Sequence, residues 1–527
     1  MSTNVSKEKR ERLVEKIKAI KTYIATAKQD ENTAQLLTYI AEIEKDIKGK
    51  NYGLVFEEHR ESIDETLENN LPVLVEDESL FIDNGGQMNF LIEGDNLASL
   101  KLLEKTHKGK IDLIYIDPPY NTGHEFVYDD TFVGAEDCYR HSKWISFMQK
   151  RLAIAKNLLS DNGVIIISID DNEQANLRLL CDSIFDNNNF IGTIIHQRAK
   201  GGGQAKHIVK GHDYIHIYAK SIANASLSRK KEIEITPKMK LIDGKYYIKN
   251  DDVIRKSFGK YDKSMDRRCF YEELIQYKGE KKKQQVDEKL AKGEYFLEER
   301  NGMRVICEYL PVEGARAKLY SIIKVLSEEG KKELDELGIT TFSYPKPVDL
   351  IQQLCDINND KNSTILDFFA GSGTTGHAIM KLNAEDGGQR KFILCTNNEN
   401  NICREVTYER IKRVIDKKNY SASLKYFKVD FVPISDKLYY EYADELLKHV
   451  KELVELENAI NFNGNNEIAI ILTEEELDNF ANSIPETCKT VYLGHEVLPS
   501  ETQEKFFKKN GITINVIPDY YYRDLEA

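Results

Sequence analysis

Short, almost wholly apolar runs recur through the first half of the chain, separated by longer stretches with helical spacing. Residues 89–94 (NFLIEG), 111–116 (IDLIYI) and 164–169 (VIIISI) lack the alternation of a strand with one wet face. They predict strands covered on both faces, as in a parallel sheet. Between the first two, residues 95–104 predict a helix with Asn96 near its start. Further on, Trp144, Met148, Leu152, Ala155 and Leu159 fall on one helical stripe, which Asp161-Asn162-Gly163 is expected to end. Residues 174–185 predict another helix. FIGTIIHQ and HDYIHIYAK predict two strands joined by a loop carrying Gly201-Gly202-Gly203. The alternation resumes at about Phe342, with STILDFF a strand, residues 374–382 a helix and KFILCT a strand. This βαβα order predicts an α/β, doubly wound sheet.

Other stretches follow different rules. In residues 1–50, Leu13, Ile17, Ile20 and Ile24, then Leu36, Leu37, Ile40 and Ile43, keep helical spacing around a polar break. They predict a helical hairpin for packing or dimerisation. Residues 221–340 are Lys-rich with scattered aromatics (Tyr246, Tyr247, Phe258, Tyr261, Phe270, Tyr271) and predict an inserted domain. After about Val429, the runs IAIILT, TVYLG and ITINVI predict a small separate α/β domain. The expected division is 1–50, 51–220, 221–340, 341–428 and 429–527.

With 41% apolar and 31% charged residues the composition is that of a soluble globular protein. No apolar run reaches membrane-spanning length, and the charged N-terminus lacks the pattern of a signal peptide. The eight cysteines form no C-x-x-C pair, which argues against zinc or disulfides and for a reducing cytoplasm; no metal site is expected. A net charge of -13 sits poorly with a polyanionic partner. Its distribution changes that picture: residues 196–268 hold 18 Lys plus Arg against 8 Asp plus Glu. An acidic body with one basic segment suits a confined nucleic-acid face, and equally a solvated lysine-rich insert.

Two motifs carry chemistry. Asp117-Pro118-Pro119-Tyr120 directly follows the buried run 111–116, and ligands of open α/β sheets bind beyond the carboxyl ends of strands. Two prolines fix the backbone and remove two N–H donors, so the turn offers acceptors: the Asp117 carboxylate and a backbone carbonyl. An amine substrate needs acceptors, and Tyr120 adds a flat face for a planar base. The bland alternative is a rigid strand-end turn. The second motif runs from Asp367 through Phe368, Phe369, Ala370, Gly371, Ser372 and Gly373 to Thr374 and Thr375, between a strand and a helix. Its glycines let the backbone approach a ligand, and the helix N-terminus offers free N–H groups. It is neither the dinucleotide fingerprint nor a P-loop, and taken alone it is as readily a tight turn.

Together, in this order, the motifs resemble the β-class amino-group DNA methyltransferases. There the catalytic motif precedes the cofactor loop and a target-recognition domain lies between. Gly94-Asp95-Asn96-Leu97, Asn121-Thr122-Gly123 and Tyr344-Pro345-Lys346-Pro347 agree with the family pattern. The resemblance covers about residues 50–415. With residues 52–59 (YGLVFEEH), the layout is most similar to modification subunits of type III restriction–modification systems.

The resemblance implies a Rossmann-like class I S-adenosylmethionine-dependent methyltransferase fold in permuted order. It implies methyl transfer to N6 of a flipped adenine in double-stranded DNA, a homodimer, and a separate restriction (helicase–nuclease) subunit as partner. Residue by residue, Asp117 and the Pro118 carbonyl would accept from the target amine, Pro119 would complete the turn and Tyr120 would stack on the base. Direct displacement requires no catalytic cysteine. Asp367, Phe368, Phe369, Ala370, Gly371, Gly373 and Thr374 would cradle the methionine part of the cofactor. Asp95, with Asn96 beside it, would face its adenine. Lys346 would lie at its carboxylate end, with Asp117 bordering it. Where the family commonly has an acidic residue for the ribose, this chain has Asn397 and Asn398, with Glu399 next in line. Expected DNA contacts are Asn121, Arg198, Lys200, Lys206, His207 and Lys210 near the Gly-rich loop, and Arg255, Lys256, Arg267 and Arg268 further into the insert. Asp at the first catalytic position favours adenine. The alternatives are a cytosine-N4 or RNA methyltransferase, or a DNA-recognition subunit with vestigial catalysis.

Overall fold

The computed structural model describes residues 5–26, 31–48, 56–123, 127–128, 131–132, 137, 139–201, 207–231, 235–237, 239–256, 267–312, 314–434, 439–462, 465–482 and 484–522. Lys206, Gly202, Gly203, Phe258, Tyr261 and residues 52–55 of the expected motif lie outside them.

Ten strands form a central sheet: β1 (Asn70–Glu76), β2 (Gln87–Glu93), β3 (Ile111–Ile116), β4 (Leu159–Ile169), β5 (Phe190–Gln197), β6 (His212–Ala219), β7 (Ile322–Lys324), β8 (Thr364–Asp367), β9 (Lys391–Thr396) and β10 (Ala422–Pro433). Their spatial order is β1-β10-β2-β9-β8-β3-β4-β6-β5-β7. The six from β10 to β4 are parallel, whereas β1 pairs antiparallel at one end and β6 reverses direction at the other. This is the expected doubly wound α/β architecture.

The apolar runs are explained by two cores, one on each face. Ile114 and Ile116 of β3 pack with Leu100 and Leu103 of α1 (Asn96–His107) and with Trp144, Met148 and Leu152 of α2 (Arg140–Leu158). Leu113 and Tyr115, pointing the other way, pack with α3 (Val348–Cys355), α4 (Thr374–Asp386) and α5 (Glu409–Lys418). Five of the six residues of β3 are therefore buried, Asp112 being the exception, and no alternation survives in its sequence.

The chain leaves β3 toward β4 on one side and leaves β8 toward β9 on the other. β3 and β8 are neighbours, so a crevice opens beyond their carboxyl ends, and both sequence motifs stand there.

Three boundaries differ from expectation. Leu159, assigned to the helical stripe, instead starts β4 opposite Ile111, and Asp161-Asn162-Gly163 forms an irregularity within that strand. A Cβ on Gly163 would come within 2.8 Å of the Ile111 carbonyl, so the close pairing selects glycine. The insert has its own four-stranded antiparallel sheet and a core that includes Ile254, Leu274 and Val286, but it does not reach residue 340. β7 joins the central sheet, and Leu334, Leu337 and Ile339 belong to the central core. At the C-terminal end β10 runs past residue 429 to Pro433. Leu453, Tyr521 and Tyr522 then share the core of β1, so the three-stranded C-terminal unit is docked on the body. Lys425 of β10 and Glu455, both buried, meet at 2.7 Å across this junction.

Among the described residues no helix is long and apolar enough to cross a membrane, and no group of three or more His, Cys, Asp or Glu could hold a metal ion.

Candidate active site

The turn after β3 brings its polar atoms onto one another. The Tyr120 hydroxyl donates to Asp117 Oδ1 at 2.8 Å, and Lys346 Nζ donates to the Tyr120 hydroxyl at 2.6 Å. The same ammonium lies 3.2 Å from Asp117 Oδ1 and 3.6 Å from Asp213 Oδ2. An ammonium only donates and a carboxylate only accepts, so the chain of donation runs from Lys346 through Tyr120 to Asp117. Burial pushes the Tyr120 hydroxyl well above its usual pKa, with the Asp117 and Asp213 carboxylates adding to it, so it stays protonated as this donor. Trp144 Nε1 donates to the Pro119 carbonyl at 2.7 Å. That bond occupies the Pro119 carbonyl, so the acceptor the resemblance implies is the other proline's, that of Pro118.

Asn121 is not where a DNA contact would stand. It is fully buried in the left-handed region (φ 57°), and its amide donates to Glu173 Oε1 at 2.5 Å and to the Arg140 carbonyl at 3.2 Å. Glu173, also fully buried, accepts from Asn176 and pairs with His141. Asn121 thus bends the chain out of the turn and ties it to α2.

The second motif presents backbone and turns its side chains inward. Asp367, 2% exposed, accepts the Phe369 amide at 3.0 Å and the Thr375 hydroxyl at 2.5 Å. Burial raises its carboxyl to about 7. Phe368 is wholly in the core. Gly371 (φ +49°) and Gly373 (φ +74°) take left-handed conformations that close the loop onto the N-terminus of α4. Beneath the loop, buried Arg410 donates to Thr374 Oγ1 at 2.7 Å and to Ser372 Oγ at 3.0 Å, and burial lowers its pKa to about 10. Gly376 serves packing, since a Cβ there would lie 2.6 Å from Ile411 Cδ1.

These contacts already occupy several of the expected cofactor ligands. The side chains of Asp367, Phe368 and Thr374 hold the loop in shape and Ala370 is buried in the core, whereas Phe369 is half-buried. Asn96 is spent between the Phe368 carbonyl (3.2 Å) and Arg151 Nε (2.5 Å), tying the turn after β2 to the second motif. Asp95 caps α1 through Leu97 and Ala98, with its side chain still 36% exposed. Lys346 turns its ammonium to the catalytic turn, while its backbone carbonyl accepts the Thr374 hydroxyl at 3.3 Å, next to the Gly371–Gly373 loop. Asn398 accepts the Arg404 amide, whereas Asn397 is exposed at the end of β9.

The expected DNA contacts divide in two. Arg198 stands beside the catalytic cluster, 3.5 Å from Asp213, and Lys200, His207 and Lys210 are exposed on the same loop. In the insert, Arg255 and Arg267 both pair with Asp252, Lys256 with Glu273, and Arg268 with Asp251. These ion pairs brace two neighbouring segments, with three carboxylates shared among the four basic residues. Asp213, Glu173 and Arg151 were not singled out in the sequence, and Trp144 only as part of a helical stripe. The only signals were a charged residue at the head of a buried strand and the chain's single tryptophan.

Residues 111–409 match the model of the N6/N4 DNA methylase family. The match spans more than half of the chain, and the chain belongs to this family of DNA methylases. Over 66% of its length it is 34% identical to the Mod subunit of the type III restriction-modification enzyme StyLTI from Salmonella typhimurium. Over 64% it is 31% identical to the type II methyltransferase M.KpnI from Klebsiella pneumoniae, of which 90% is covered. Only 59% of the StyLTI Mod subunit is spanned. Among solved structures, the M1.HpyAVI–SAM complex aligns with 99% of its chain at 15% identity and a TM-score of 0.31.

The methyl donor of this family is S-adenosylmethionine, and the residues present fit it. Its anionic carboxylate suits the N-terminus of α4, behind which lies a buried guanidinium whose Nε and Nη2 have no protein partner.

Proposed function

We propose that this chain is the modification subunit of a type III restriction–modification system, methylating N6 of an adenine flipped from double-stranded DNA. The observation that carries the reading is the acceptor-rich turn: Asp117, held by Tyr120 and Lys346, beside a Pro118 carbonyl free of the Trp144 bond that occupies its neighbour. An exocyclic amine carries two N–H donors, and this turn offers two acceptors of matching kind. Tyr120 supplies the stacking face, and the crevice between β3 and β8 sets the base against the cofactor loop. Bound S-adenosylmethionine supplies an electrophilic methyl group. The chain's part is to fix the amine in line and exclude water, which accounts for most of the rate in a direct displacement.

The names of the relatives support the finer reading, as Mod subunits of type III enzymes recur among them at 26–34% identity. By the same reading the protein works as a homodimer in the cytoplasm and takes a separate helicase–nuclease subunit as partner. The test is transfer of labelled methyl to duplex DNA by the parent protein and by Asp117→Ala, with nucleoside analysis of the product. N6-methyladenine from the parent alone is expected; N4-methylcytosine, or transfer to RNA only, would overturn the assignment.

A further inference from the structure

The loop between β5 and β6 rises from the same edge of the sheet as the catalytic turn. β6 runs antiparallel to β4, so its first residues lie where β4 ends, and β5 finishes beside them. The Arg198 and Ala199 amides close the base of the loop on the Gly211 carbonyl at 2.9 and 3.2 Å. Just beyond it, Asp213 is 3.6 Å from the Lys346 ammonium that holds Tyr120. The loop is thus anchored through one residue to the site that receives the base.

The described residues of its returning arm are unusual for a surface. Ile208 is 82% exposed and Val209 42%, adjacent to one another and flanked by exposed His207 and Lys210, with exposed Lys200 on the other arm. Of the two lysines, Lys210 has one distant partner, Asp171 at 3.5 Å. Single exposed apolar residues are ordinary. An apolar pair set among cations at the mouth of a base-modifying site has a specific complement: duplex DNA, whose phosphates take the cations and whose opened stack takes the apolar atoms.

We propose that Ile208, backed by Val209, is a wedge that enters the duplex and fills the space vacated by the target base, while Lys200, His207 and Lys210 hold the flanking phosphates. The inference rests on the base-flipping reading above. Filling the gap offsets the lost stacking, so the wedge matters most for a well-paired target and little for one already unpaired. Ile208 packs against almost nothing, so its replacement leaves the fold intact.

The test uses the full chain and a short duplex carrying the sequence found methylated in the genome of an expression host. With the target base normally paired, Ile208→Ala is expected to lose at least about tenfold in methyl transfer, and Ile208→Leu to retain activity. Placing the target opposite an abasic site should bring Ile208→Ala back to within about threefold of the parent, and 2-aminopurine at the target should fluoresce less with the Ala variant on the paired duplex. Parental activity of Ile208→Ala on the paired duplex, or an equal deficit on the abasic duplex, overturns the wedge. Failure of the parent protein to methylate any duplex would overturn the base-flipping reading itself.

Discussion

Two turns at neighbouring strand ends do different work with different atoms. After β3, Asp117 and Tyr120 present side chains, bonded to one another and to Lys346 above the crevice. After β8, Asp367, Ser372 and Thr374 bury their polar atoms in the scaffold, and the loop presents backbone. A motif letter therefore means different things at the two sites. By the proposed function, residue type in the first turn sets the chemistry, whereas in the second it shapes the loop that receives the cofactor.

Replacements that separate side chain from scaffold sharpen this contrast. The largest effect belongs to Asp117→Ala, which removes the central acceptor. Methyl transfer should fall by about a thousandfold or more while the melting temperature stays near the parent's. Next comes Lys346→Met. Because Lys346 touches Tyr120 and Asp117, kcat should drop about tenfold or more with cofactor Kd changed less than about threefold, as single-turnover kinetics and calorimetry would read. A large rise in Kd would instead restore Lys346 to the cofactor carboxylate, where the sequence pattern had put it.

Gly373→Ala should do the reverse. A Cβ at φ +74° is strained by about 1–2 kcal/mol and would press on Thr407, 3.2 Å away, so cofactor affinity should fall about tenfold. Thermal melts should show only a few degrees of loss.

The smallest effect concerns Asp367. Its carboxyl is raised from 3.8 to about 7 by burial, so between those values the unfolded chain has lost a proton that the folded chain keeps. Stability from this group is present at low pH and is lost as pH rises to about 7. Asp367→Asn should remove that loss, so its melting temperature should gain on the parent's most above neutral pH. An identical pH profile for the two proteins would show that Asp367 titrates normally.

The strands and both motifs could be read in the sequence because burial on two faces writes unbroken apolar runs, and proline and glycine mark strand-end turns. Several site features could not. Asp213 reaches Lys346 across 133 residues of sequence, through strand pairing that leaves no local period. Asn121 follows the catalytic turn and reads as a ligand, yet its left-handed backbone and its bond to Glu173 make it a hinge post. Several of the insert's basic residues read as a DNA face by count, yet Lys256 pairs with Glu273 and Arg268 with Asp251, partners 17 residues away that no local pattern in the sequence reveals.

The division of labour between the turns is tested most directly by measuring S-adenosylmethionine binding and single-turnover methyl transfer on Asp117→Ala and Gly373→Ala side by side. Parental cofactor affinity without transfer in the first, and weakened affinity with transfer restored at saturating cofactor in the second, is the expected result. Loss of cofactor binding in Asp117→Ala, or undiminished binding in Gly373→Ala, would contradict it.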